Sequence, residues 1–93
     1  MANFKLGNIV CTRGVFELMQ KDFDFNEFVK NSFARHAAGD WGNMCNEDIR
    51  ENERALTDGY RLFSAYESRN HPKIYIITEA DRSSTCILFP EEY

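Results

Sequence analysis

In "YRLFSAYESRNHPKIYIITEADRSSTCILF" (residues 60–89) apolar and β-prone residues recur with a period of two. That period separates three strands, "YRLFSAYES", "KIYIITE" and "STCILF", from two short turns, "SRNHP" and "EADRSS". Turns this short require antiparallel neighbours, so the segment predicts a three-stranded meander.

Upstream of Gly59 the period is helical. "NEDIRENERALTD" (46–58) offers Asn46 as a cap, Glu47 and Asp48 for the positive helix end, and Gly59 to close it. Its apolar stripe, Ile49, Ala55 and Leu56, is thin, which predicts a surface helix packed by one edge. "GDWGNMCN" (39–46) is a tight connector. Before it, a helix over about residues 25–38 is marked by Asp24 as cap, Glu27 three residues on, and a Phe23–Phe28 staple. Gly39 is the natural C′ residue, and His36 reads as half-exposed at the helix end. Thr12 caps a further short helix carrying Val15, Leu18 and Met19, which "KDFDF" interrupts. Phe4–Thr12 alternates as a strand, with Gly7 marking a bulge or a close approach.

The expected fold is therefore α+β in a single domain, residues 1–93: an N-terminal strand, two to three helices, then the three-stranded antiparallel meander, one sheet with helices packed on one face. Phe28, Val29, Phe33, Ile74, Ile76 and Leu88 are the expected core. "YII" and "CILF" place apolar residues on both sheet faces, which implies cover on both or a dimer using the outer one.

With 93 residues and 43% apolar composition, including eight Phe, the chain has enough for one modest core. Eleven Lys and Arg face fifteen Asp and Glu, a net charge of −4. No basic run occurs, which disfavours duplex binding and suits a basic partner surface. Cys11, Cys45 and Cys86 show no CxxC or zinc-knuckle spacing and read as buried, reduced thiols. "MANFKLGNIV" is too short and polar for a signal peptide, and no apolar run approaches a membrane span. A cytoplasmic chain is expected.

Enzyme signatures are weak. No P-loop, GxGxxG or GxSxG is present. His36, Asp40, Asp48, Glu79 and Asp81 have metal-ligand chemistry but no recognised ligand spacing. Cys45 precedes a helix N-terminus, without a patterned base. No cofactor is expected. Two places stand out as partner-binding candidates. Asp40 and Trp41 lie in the glycine-flanked corner, where Trp41 is either a plug or an interface anchor. Glu79, Asp81 and Arg82 lie in the hairpin turn, where they serve either turn chemistry or a presented charged tip.

"GDWG" (39–42), "ENERAL" (51–56), "FSAY" (63–66), "ITEADRSST" (77–85) and "LFPEEY" (88–93) together resemble a widespread family of small bacterial proteins carried on plasmids and other mobile elements. The resemblance covers nearly the whole chain and implies a setting rather than an activity. Small acidic proteins in that setting serve replication control, transfer or evasion of host defence. The expected function is a stoichiometric protein-binding module, anti-defence or regulatory, docking Asp40, Trp41, Glu79, Asp81 and Arg82 on a larger protein with a basic surface. It would act as a monomer or homodimer, without direct nucleic acid or membrane. The alternatives are a small metal-dependent enzyme using Asp40, Glu79 and Asp81, and an antitoxin-like or structural partner.

Overall fold

A computed structural model describes residues 4–93; the reading of Met1–Asn3 as part of a polar N-terminus lies outside them. The chain runs β1 (Asn8–Cys11), α1 (Arg13–Lys21), α2 (Phe23–Ala37), α3 (Asn46–Asp58), β2 (Leu62–Ser68), β3 (His71–Thr78) and β4 (Ser84–Leu88), then a 3-10 turn at Pro90–Glu92. The fold is α+β. The sheet has four strands in the order β1-β4-β3-β2. The meander forms as its turns require, with β2–β3 and β3–β4 antiparallel. The expected sheet is corrected at β1, which joins parallel to β4 and makes the sheet mixed. The meander strands are dictated by local turns, whereas β1 finds its partner across almost the whole chain. Among the described residues no helix is long and apolar enough to cross a membrane.

Helix boundaries follow caps. Thr12 accepts the Val15 amide and opens α1. Asp22, not Asp24, caps α2 by accepting the Phe25 amide at 3.1 Å. With the helix starting earlier, Phe23 is not a staple residue and is 74% exposed. Asn46 lies inside α3, whose N-cap position is Cys45. The end of α2 is a Schellman motif: Gly39 at φ 83° donates to the His36 carbonyl, and Asp40 to that of Arg35.

Register assigns the faces. Leu62, Ser64 and Tyr66 oppose Thr78, Ile76 and Ile74, and Thr85 and Ile87 continue that face. Val15, Phe25 and Val29 pack there with Tyr66, Ile74, Ile76 and Ile87. Phe28 and Phe33 are only partly buried against this cluster, so the central ring is Phe25. Leu88 is buried, but its register partner is Tyr75, which puts it on the other face. On that face Tyr93 sets its ring edge-on to Phe63 and Tyr75. The C-terminal turn is held by Glu92, whose carboxylate accepts the Thr12 hydroxyl (2.7 Å) and the Phe89 amide (2.8 Å).

Helix α3 lies along the free side of β2 instead of over the sheet. Asn52 accepts the Phe63 amide and donates to its carbonyl. Trp41–Asn43 covers the next position, where Ala65 donates to the Trp41 carbonyl and accepts the Asn43 amide. The Asn43 side chain accepts the Glu67 amide. Three alternate residues of β2 are thus satisfied along their outer side. Gly42 is required here, because a Cβ on it would overlap the Ala65 carbonyl and the Tyr66 ring.

Candidate functional site

The corner after α2 turns back toward the sheet at Asp40. The Asp40 carboxylate accepts a two-pronged bond from Arg35, 2.8 Å from Nε and 3.2 Å from Nη2, and a further one from the Gly42 amide. The Arg35 guanidinium holds its carboxyl below the usual range. The Asp40 carbonyl accepts the Tyr66 hydroxyl at 2.7 Å, and burial pushes that phenol up to about 12. Trp41 is buried beside Ala55 and Leu62, and its indole donates to Glu53 at 2.7 Å. At 3% exposure, Trp41 fills the space between α3 and the sheet.

The hairpin turn divides its three charges. Asp81 accepts the Ser83 amide at 3.0 Å, and bonds from Ser83 hold its carboxyl below the usual range. The Asp81 and Glu79 side chains are exposed. Arg82 turns inward at φ 61°, in the left-handed region. Its Nη2 donates to the Ala55 carbonyl at 3.0 Å. Its Nη1 lies 2.7 Å from the Tyr60 carbonyl, 3.1 Å from that of Glu79 and 3.3 Å from that of Ala80. Helix α3 has no basic residue in its last turn, so Arg82 supplies from a distant turn the cation its negative end favours.

Phe4 joins the two places. Its ring lies 6.3 Å from Trp41 and 5.7 Å from His36, and the Arg82 guanidinium is 6.0 Å from its centre. Trp41 and Arg82, 41 positions apart in sequence, therefore meet around one aromatic ring. Asp40 faces away from this cluster toward Arg35.

Beneath Phe4 and Trp41 runs a polar chain that the sequence reading missed. His36, read as half-exposed, is 0% exposed. Its Nδ1 is 2.6 Å from the Ser64 hydroxyl and its Nε2 is 2.8 Å from that of Thr78. Thr78 is 2.8 Å from Thr85, which donates to the Leu6 carbonyl. That last bond fixes the order. Thr85 spends its proton on Leu6 and accepts from Thr78, so Thr78 accepts from His36 Nε2–H. Nδ1 is left to accept from Ser64. Ser64 also lies 3.3 Å from the Ile76 carbonyl, and its single proton goes to the closer Nδ1. A neutral imidazole therefore bridges the two hydroxyls, and burial lowers its pKa to about 4. The available signal was polar residues at inward strand positions: Ser64, Thr78 and Thr85 all fall on the core face.

Asp40, Glu79 and Asp81 do not assemble as a metal site. Among the described residues no group of three or more His, Cys, Asp or Glu could hold a metal ion. The expectation of buried cysteines is corrected: Cys45, in the polar connector, is exposed and its thiol makes no capping bond, while Cys11 and Cys86 are only half-buried near the sheet edge. An open cleft of about 360 Å³ between α3 and the start of β2 is lined by Asp48, Glu51, Tyr60, Arg61 and Phe63, among others. The strongest surface pattern is acidic. Helix α3 carries Glu47, Asp48, Glu51, Glu53 and Asp58 against Arg50 and Arg54. Asp58 is exposed in the last turn of α3, the end whose Ala55 carbonyl Arg82 holds. Comparison with protein-family models, with curated proteins and with solved structures finds no match to this chain.

Proposed function

We propose that this chain is a stoichiometric protein-binding module that occludes a larger partner with a basic surface. The observation that carries the reading is the sorting of charge at the α3–hairpin end. Glu79, Asp81 and Asp58 project into solvent, while the nearby cation, Arg82, is consumed by main-chain carbonyls. An acidic strip of this kind attracts and orients a positive surface. Glu79 and Asp81 are the contact residues in this proposal, and Asp40 adds an exposed carboxylate at the neighbouring corner. Trp41 and Arg82 hold the two corners in shape. The setting, an anti-defence or regulatory accessory of a mobile element, rests on the motif resemblance alone.

The test is capture from nuclease-treated bacterial lysate by the tagged chain, against a variant carrying Asp58→Lys, Glu79→Lys and Asp81→Lys. The wild type should retain a defined protein at low salt and release it as salt rises. The variant, with an unchanged melt, should retain at least about tenfold less. Identical captured proteins for both chains would sink the proposal, as would no capture at all.

A further inference from the structure

The two outer strands of the sheet are treated differently. On β2 the outward groups of Phe63, Ala65 and Glu67 are engaged by Asn52, the Trp41–Asn43 segment and the Asn43 side chain. On β1, Asn8 and Thr12 donate to Ser83 and Ile87 of the β4 side. By strand alternation Ile9 and Cys11 turn their N–H and C=O groups outward, and these find no partner among the described residues. Ile9 is 55% exposed and Val10 is 48% exposed. Unpaired strand groups beside exposed β-branched side chains are a template for another strand.

We infer that β1 is the self-association edge of this protein, pairing antiparallel with β1 of a second copy about a two-fold axis at Val10. Ile9 of one copy then exchanges both main-chain bonds with Cys11 of the other, and Val10 stands opposite Val10. Asn8 falls opposite Thr12, so no charged residue faces another along the strand. The chain's charge distribution favours this occupant. Residues 1–16 hold Lys5 and Arg13 and no carboxylate, and Arg13 is paired with Glu17 at 2.9 Å. The carboxylate-rich helix α3 lies along β2, at the opposite side of the sheet. Two copies joined through β1 therefore hold their acidic sides far apart. Because β2 is covered, the joined sheet has no open strand left, and association stops at two.

Sedimentation equilibrium over a concentration series tests this on the chain alone, so its failure leaves the proposed partner reading untouched. The wild type should rise from 10.9 kDa toward twice that mass. Ile9→Pro removes an outward amide without touching the bonds to β4. Val10→Lys opposes two like charges across the axis while leaving the backbone whole, and covers the case in which the proline variant fails to fold. Each should raise the dissociation constant at least about tenfold, with circular dichroism confirming the fold. Phe23→Ala, an exposed ring elsewhere, should behave as wild type. A wild type that stays monomeric to about millimolar concentration would overturn the inference and leave this edge to a strand of another protein. Equal dimerisation of wild type and both edge variants, or assemblies that grow past two, would overturn it as well.

Discussion

Arg82 carries a backbone conformation that side chains with a Cβ rarely adopt, and its guanidinium explains why it stays there. The fork bonds carbonyls of Ala55 and Tyr60, more than 20 positions away, so the turn and the end of α3 hold each other. Arg82→Ala should cost about 2 kcal/mol in urea denaturation, the scale of hydrogen bonds to a charged group. Arg82→Gly should recover about 1 kcal/mol of that by relieving the left-handed strain. An alanine variant as stable as wild type would show that water serves those carbonyls equally well. His36 makes a second prediction. Its ordinary pKa is 6.5, and burial lowers it to about 4 in the folded chain. The unfolded chain takes up the proton first as pH falls. Stability is therefore complete above pH 6.5, declines between 6.5 and 4, and has lost about 3 kcal/mol from this group below that window. His36→Gln should flatten the decline relative to wild type in acid titrations of the melting temperature. Neither role was legible locally. A turn arginine looks exposed until the carbonyls it reaches are known, and His36 looks like a helix-end residue until Ser64 and Thr78 close over it.

At the scale of elements, legibility followed the range of the interaction. β2, β3 and β4 are joined by short turns, so "RN" and "EADRS" announce them. The cap of α2 was misplaced by two residues because Asp22 and Asp24 are chemically equivalent, and only geometry shows which one reaches the Phe25 amide. Residues that cover β2 belong to a connector and a helix, and no sequence period marks them. Asn52 is the sharpest case, meeting both main-chain groups of Phe63 with one side chain. Asn52→Ala should destabilise by about 2 kcal/mol, since it leaves a partly buried donor and acceptor unpaired. It should also open β2 as a second free edge, visible as rising light scattering during incubation near the melting midpoint. Unchanged scattering would mean that Trp41–Asn43 protects the strand unaided.

For the whole molecule, the pairing of Asn8 with Ser84 spans 76 positions, while every meander pair is nearer in sequence. On the ribosome this sets an order of events. β1 is made early, yet it has no partner until β4 emerges, and α1, α2, α3 and the first hairpin are all synthesised in the interval. Closing so long a loop is slow, because its entropy is lost before any contact repays it. Until β4 is made, "NIVC" therefore stays uncommitted, a period in which any chaperone that reads short apolar strands has access to it. Completing the sheet joins β1 to β4 across everything made between them, and the Thr12 hydroxyl bond to Glu92 ties the C-terminal turn to the start of α1.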